Sequence, residues 1–437
     1  MIKREWYGIW LFIIPLSSFI IKKREPNMKI INLTIQGYRS LKNISWKPGN
    51  LNVLIGPNGS GKSNLLRVLE LITISSKGQL GKYIQRSGGM EPLVWDGISD
   101  SIRFNIKSSK LLPLWFTDKN WLTYGVELSR LGKSGAYSVG EEKLLYFHRK
   151  ESETSVEPFT ILDRHKMIGR IFDENRKELI ASEESMLEEE TLLSLTAGPF
   201  AINQHIPIFR QQLAEWCIYH DIDVSQSARL RQPTVARMEK RVDGDGQNLI
   251  SVLHTLYTGD RQFKNDINLA MTAAFGDDFE ELVFPPASDQ RVQLRIRWKS
   301  LKREQTAADL SDGTLRFLFL LTALATPSPP PLIAIDEPET GLHPAMLPII
   351  AEYAVDAAEK TQIIFTTHSP QFLNAFDETK PQITIVKWHE GETEFLDLDE
   401  KSLSEWLREY TLGSLFSSGE LESTLTLSPQ QDPSEEM

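Results

Sequence analysis

The residues of this chain best suited to chemistry are Gly56-Pro57-Asn58-Gly59-Ser60-Gly61-Lys62-Ser63. The spacing matches a complete phosphate-binding loop, with lysine and a hydroxyl closing a glycine-rich run. Glycines allow a backbone curl whose N–H groups converge on phosphate oxygens. Lys62 is then placed for the β- and γ-phosphates of ATP, and Ser63 for Mg²⁺. A second constellation, Pro331 to Pro338, is an apolar run ending in Asp336 and Glu337. In that pattern Asp336 shares the Mg²⁺ site with Ser63, and Glu337 orients or deprotonates the attacking water. Two weaker signals narrow the class. Ser311-Asp312-Gly313-Thr314 offers a hydroxyl and a glycine at a helix start, a second anion site that is also an ordinary capping turn. His368, in Thr366-Thr367-His368-Ser369-Pro370, ends an apolar strand where a γ-phosphate sensor could stand.

The elements needed to position these groups are legible around them. Leu51–Ile55 predicts a short strand entering the loop, and Lys62 to Leu71 a helix with a broad apolar face. Met28 to Gln36 and Leu41 to Trp46 read as earlier strands. Ile102 to Tyr146 reads as antiparallel strands. Ile161 to about Leu256 reads as mainly helical, with the acidic stretch Glu183 to Glu190 inside it. Leu332–Ile335 and Gln362–Thr366 read as buried parallel strands. Helices are expected over Thr314–Ala325 and about Ala345–Glu359. Arg291–Lys299 alternates as one strand, with Arg291, Arg295, Arg297 and Lys299 on a single face.

The ordered set GPNGSGKS, LSDGT, IDEPETGLHP and TTHSP resembles the ABC-type ATPase heads of the SMC/RecF/OLD class, in the form without a long coiled coil or Toprim domain. The resemblance implies an α/β P-loop NTPase fold with an antiparallel β subdomain and a helical insertion. It implies a homodimer around two ATP molecules, with Ser311, Asp312 and Gly313 contributed in trans. It also implies that Arg39, in the first turn, approaches the nucleotide, and that a glutamine, Gln79 or Gln85, senses Mg²⁺. Asp312 and Thr314 stand where transporter ATPases carry glycine and glutamine, and His343 stands where many relatives have aspartate. These departures and the long span from Ser63 to Leu310 argue against a transporter subunit.

The expected division is 1–27 an apolar extension, 28–160 a first ATPase lobe, 161–256 the helical insertion, 257–420 a second lobe and 421–437 a disordered acidic tail. Residues 1–27 read as an upstream start, with a membrane anchor as the alternative. The apolar run is broken by Pro15 and shorter than the roughly 20 residues a span requires. A single cysteine, Cys217, excludes an intramolecular disulfide and a multi-cysteine zinc site, and fits the cytoplasm. The net charge of −11 argues against a surface that coats nucleic acid throughout. Two basic clusters nevertheless point to DNA: the Arg291–Arg303 stripe, and Arg229, Arg231, Arg237, Lys240 and Arg241. The function expected is therefore ATP hydrolysis by a head acting on DNA in repair or anti-phage defence. The alternative is an ATP-gated scaffold regulating a separate effector nuclease. Glu390 to Asp399 resembles the opening of a nuclease domain, but too few residues follow, and a hairpin is expected there.

Overall fold

The computed structural model describes residues 27–109, 121–132, 135–147, 158–181, 187–196, 202–287, 289–376, 379, 381–397 and 411–418. The extension and the acidic tail lie outside them, apart from Asn27.

The chain opens with β1 (Ile30–Tyr38), β2 (Leu41–Trp46) and β3 (Leu51–Ile55), followed by α1 (Lys62–Ser76) and α2 (Leu80–Arg86). Next come β4 (Ser101–Ser108), β5 (Trp121–Arg130), β6 (Tyr137–Phe147), β7 (Pro158–His165), β8 (Ile168–Asp173) and β9 (Glu178–Ala181). These join β1 and β2 in an eight-stranded antiparallel sheet of order β2-β1-β4-β5-β6-β7-β8-β9. Period-two burial drives it: in β5, Leu122, Tyr124, Val126 and Leu128 point inward between more exposed neighbours.

The helical reading of 161–256 is corrected here. Its opening stretch, 161–181, is β7 to β9, and the expected boundary at 160–161 falls inside β7. The signals were turns. Asp173 Oδ1 accepts the N–H groups of Asn175 and Arg176 at 2.7 and 3.1 Å, and Lys177 turns the chain at φ 59°. Short strands with charged hairpin tips imitate the spacing of a polar helix. Among the described residues of that span, α-helix is confined to α3 (Leu192–Leu195), α4 (His205–Ala214) and most of α5 (Leu249–Gly259), with β10 (Cys217–Tyr219) and β11 (Thr234–Val235) between α4 and α5. Of the acidic stretch, residues 183–186 lie outside the described residues. Glu190 caps α2, its carboxylate accepting from the N–H groups of Leu80 and Gly81.

The remainder comprises α6 (Arg261–Phe275), β12 (Phe279–Val283), β13 (Pro286–Ala287), β14 (Arg291–Val292), β15 (Arg295–Trp298), β16 (Gln305–Thr306), α7 (Asp312–Leu324), β17 (Leu332–Asp336), α8 (Leu347–Ala358), β18 (Gln362–Thr367), α9 (Pro370–Asn374), β19 (Gln382–His389), β20 (Glu392–Asp397) and α10 (Leu412–Ser418). The single strand expected over 291–299 is two, β14 and β15, in different three-stranded sheets.

A six-stranded sheet of order β10-β17-β18-β3-β19-β20 forms the centre, parallel except for β20. Both faces are covered, as a parallel sheet requires. Ile333 and Ile335 of β17 join the core beneath α5 to α8, while Leu332 and Ala334 join the core shared with α1 and the antiparallel sheet. Leu65, Leu66, Val68, Leu69, Leu71 and Ile72 of α1 are fully buried between the two sheets. Each such side chain contributes roughly 1.5–3 kcal/mol of hydrophobic stabilisation, which fixes α1 and the loop at its head.

Candidate nucleotide site

The loop 56–61 joins β3 to α1 at the C-terminal edge of the central sheet. Gly59 and Gly61 have φ of 81° and 104°, open to glycine and costly to other residues. A Cβ on Gly56 would lie 2.2 Å from the Val386 carbonyl oxygen, and one on Gly61 would lie 2.1 Å from Thr393 Oγ1. The β19–β20 hairpin therefore braces the loop from outside. Thr393 Oγ1 lies 2.9 Å from the Ser60 carbonyl oxygen and 2.7 Å from Ser40 Oγ, which also accepts from Asn64 Nδ2 at 2.8 Å. That hairpin is the segment with nuclease-like acidic spacing, and it forms as the strand–turn–strand expected.

α1 starts with no side-chain cap and no acid in its first turn, so the N–H groups of Lys62 and Ser63 remain open to an anion, while that of Asn64 donates to the Gly61 carbonyl at 3.0 Å. Lys62 Nζ donates to the carbonyls of Gly56 and Pro57 at 2.8 and 3.0 Å. Burial pulls the Lys62 amine below its ordinary value, against the opposing pull of Glu337, Asp336 and Glu339. Ser60 Oγ and Arg39 Nε are buried with no hydrogen-bond partner among the described residues. Arg39 sits in the β1–β2 turn at φ 47°, next to Ser40, and the Ser40 contacts tie that turn to the loop. The Arg39 guanidinium lies over the Tyr38 ring, 5.7 Å from its centroid, while the orphaned Ser60 hydroxyl, in the loop that leads into an uncapped helix start, suits a phosphate-rich ligand.

Strand register delivers the acids. β17 pairs with β18 and β18 with β3, so Asp336, Thr366 and the start of the loop lie side by side. Asp336 Oδ1 accepts from Ser63 Oγ at 3.2 Å and from Thr366 Oγ1. Burial alone would raise the Asp336 carboxyl, but the nearby His220 imidazole and the hydrogen bonds from Thr366 and Ser63 outweigh it and hold it below the usual range. Asp336 and Ser63 are hard oxygen donors that fit Mg²⁺. Among the described residues no group of three or more His, Cys, Asp or Glu side chains is placed to hold a metal ion.

Glu337 takes φ 45°, a strained conformation for a residue with a Cβ, held by its N–H donating to the carbonyl and hydroxyl oxygens of Thr366 at 3.0 and 3.2 Å. The kink turns the Glu337 side chain to meet His368, whose Nδ1 lies 2.9 Å from Glu337 Oε1.

Ser311 caps α7, its Oγ accepting from the Thr314 N–H at 3.1 Å. Gly313 lies so close to the loop after β17 that a Cβ would be 2.7 Å from the Gly341 carbonyl oxygen. Asp312 pairs with Arg231, which also donates to the carbonyls of Val224, Ser225, Ala307 and Leu310. The Arg231 side chain is 1% exposed and that of Asp312 64%. Arg231 thus anchors this turn from below. Ser311 and Asp312 are exposed, and the turn makes no hydrogen bond to the phosphate loop of its own chain among the described residues.

Two residues here were missed in the sequence. Glu339 lies in the site, accepting from Thr367 Oγ1 and 4.0 Å from His368 Nδ1. Burial raises its carboxyl above the usual range. Its spacing two after Glu337 was the available signal. His220 follows β10 and faces Asp336 Oδ2 at 3.9 Å and Glu70 Oε2 at 3.4 Å. Burial lowers its imidazole, but the two carboxylates win and push it up to about 9. No local motif marks His220. The glutamines expected near Mg²⁺ are elsewhere: the 15-residue α1 carries the chain roughly 22 Å to Gln79, and the 7-residue α2 bearing Gln85 is too short to return.

The basic clusters are neutralised in part, and among the described residues Arg291, Lys299, Lys302 and Arg303 have no ion-pair partner. Arg297 pairs with Glu281 and Glu304, Arg295 with Glu304, Arg241 with Glu215 and Arg229 with Asp245.

Residues 51–374, well over half the chain, match the family model described as "AAA domain, putative AbiEii toxin, Type IV TA system". The chain belongs to this AAA-domain family. Solved structures add the architecture. The structure titled "Crystal structure of the SmcHead bound to the C-winged helix domain of ScpA" aligns at a TM-score of 0.51 and 13% identity, covering 86% of this chain and 99% of that one. A Smc head with an extended coiled coil bound to the C-terminal domain of ScpA, derived from Pyrococcus furiosus, aligns at 0.49 and 13%, covering 87% and 99%. The SMC head domain from Thermotoga maritima aligns at 0.42 and 14%, covering 85% and 99%. At 13% identity the first shows the fold alone: this AAA-domain protein has the fold of an SMC head domain, a P-loop NTPase fold. No curated protein matches the sequence. Among the described residues no helix is long and apolar enough to cross a membrane.

Proposed function

We propose that this AAA-domain head binds Mg·ATP at the phosphate loop and hydrolyses it as a dimer formed around the nucleotide. The observation that carries the reading is the meeting of Lys62, Ser63, Asp336 and the Glu337–His368 pair at one sheet edge. Lys62 would exchange two carbonyls for β- and γ-phosphate oxygens. Ser63 and Asp336 would hold Mg²⁺, which supplies positive charge to the transferring phosphoryl group. Glu337 would orient the attacking water and take its proton, and His368 would fix the Glu337 carboxylate and face the γ-phosphate. Arg39 would give its unpartnered Nε to the nucleotide. Ser311, exposed, and Gly313, half-buried, in the turn held by Arg231, would complete the site of a second copy.

The test is light scattering with phosphate release on the full chain, wild type and Glu337→Gln. The expected outcome is an ATP-dependent dimer that turns over, and a variant that dimerises but loses at least about 100-fold in turnover. A monomer in every state, with turnover surviving the Glu337 change, would overturn the reading.

On what the head acts upon, the ion pairs at Arg229, Arg241, Arg295 and Arg297 favour a protein partner gated by ATP over direct DNA contact through those four arginines. An arginine already paired to glutamate has less to offer a phosphate backbone. The family description names a type IV toxin–antitoxin system, which supports the defence side of the expected role. Gel retardation of duplex and single-stranded DNA at low salt with ATP decides this. No retardation is expected; retardation abolished by reversing Arg295 and Arg297 would restore the DNA reading.

A further inference from the structure

We infer that His220 is a positioning residue for the metal-binding carboxylate, and that with Glu70 it sets how strongly Mg²⁺ tightens nucleotide binding. The inference rests on the ATP reading above. Sheet register is the first support. β10 pairs in parallel with β17 as Cys217↔Ile333, Ile218↔Ala334 and Tyr219↔Ile335, which puts the next residues, His220 and Asp336, side by side at the sheet edge. The histidine is therefore aligned by the central sheet rather than by a loose loop.

The second support is the closure of contacts around it. Ser63 and Glu70 are seven residues apart on α1, two turns, and so share a face. Ser63 Oγ lies 3.2 Å from Asp336 Oδ1, Asp336 Oδ2 lies 3.9 Å from His220 Nδ1, and His220 Nε2 lies 3.4 Å from Glu70 Oε2. The path runs from α1 through β17 and β10 and back to α1. Oδ1 of Asp336 is held by Ser63 and Thr366, and His220 is the partner that Oδ2 faces. A hydroxyl that turned to a metal would leave Oδ1 with Thr366 alone, so the hold on Oδ2 then decides the carboxylate's orientation. Without the imidazole, Asp336 and Glu70 would also face each other with no donor between them. Partners of this kind behind a metal-ligating group typically change metal affinity by about 10–100-fold when removed. The His220 side chain is 30% exposed, so the site is open to ligand from that side.

The experiment is titration of a fluorescent ATP analogue into the full chain, in EDTA and across a Mg²⁺ series, for wild type, His220→Ala, His220→Gln and Glu70→Gln. In EDTA, His220→Ala should bind as the wild type does. It should need roughly 10–100-fold more Mg²⁺ for half-maximal tightening. His220→Gln, whose amide can still donate to Asp336, should recover to within a few-fold. Glu70→Gln should shift the requirement in the same direction by a smaller factor, and it decides the matter if His220→Ala does not fold. A Mg²⁺ requirement within twofold of wild type in His220→Ala, or in Glu70→Gln where that variant has to decide, overturns the inference. So does a glutamine that behaves like the alanine. A wild-type chain whose nucleotide affinity ignores Mg²⁺ would instead overturn the ATP reading itself.

Discussion

Two helix starts in this head face solvent with opposite preparation. α1 begins uncapped, with Gly59 and Gly61 in left-handed conformations and two orphaned donors nearby. α7 begins capped by Ser311, carries an acid in its first turn and is pinned by a buried arginine. The first leaves its hydrogen-bonding capacity open and so is ready for a ligand within its own chain. The second has its Thr314 N–H taken by the Ser311 cap and is held as a stiff, exposed feature, as suits a surface that meets another molecule. The difference shows that a glycine beside a helix start does not by itself mark a phosphate site; the cap and the charge of the first turn set what the start can receive.

Two glycine substitutions would sharpen that contrast. Gly61→Ala needs a Cβ at φ 104° and 2.1 Å from Thr393 Oγ1, and should lower ATP affinity by about 100-fold or more, measured by calorimetry. Gly313→Ala meets the Gly341 carbonyl oxygen at 2.7 Å and should cost about 1–3 kcal/mol of stability. It should leave nucleotide affinity within a few-fold while weakening ATP-dependent dimerisation, read by light scattering. Equal loss of ATP affinity in both variants would break the distinction.

The anchor beneath α7 should matter for stability rather than for binding. Arg231→Ala removes a buried cation and strands the carbonyls it serves, and should cost about 3–5 kcal/mol in denaturant unfolding. Asp312→Asn, on the exposed side of the same pair, should cost less than about 1 kcal/mol. A smaller effect is expected at the phosphate-loop edge. The Asp336 carboxyl is lower in the folded state than in the unfolded chain, so it stabilises the fold above about pH 4 and that contribution is lost as pH falls through its lower folded value. Asp336→Asn should therefore lose less melting temperature than wild type between pH 5 and about pH 3. A steeper acid loss in the variant would contradict the hydrogen bonding described for Asp336.

The legible parts of the fold were those whose signal is local. The loop after β3, the strand ending in Asp336 and the helix from Asp312 each combine a run of one period with a chemical marker at its end. The region 161–181 was misread because β7 to β9 are short and their turns rest on Asp173 and on positive φ at Lys166 and Lys177, which spacing alone does not reveal. The basic stripe at 295–297 was read correctly as one face of a strand. Its neutralisation was not visible, because Glu281 lies in β12, a different element.

By itself, then, the sequence determined that a phosphate loop, a carboxylate pair and a histidine would end adjacent parallel strands, since apolar period and motif are written along the chain. Only the tertiary structure decided which distant residues join them. Sheet register placed His220 beside Asp336, the kink at Glu337 brought its carboxylate to His368, and a buried Arg231 was spent on the turn before α7. These contacts join residues far apart in sequence whose proximity depends on strand order and side-chain direction, and neither is encoded in local spacing.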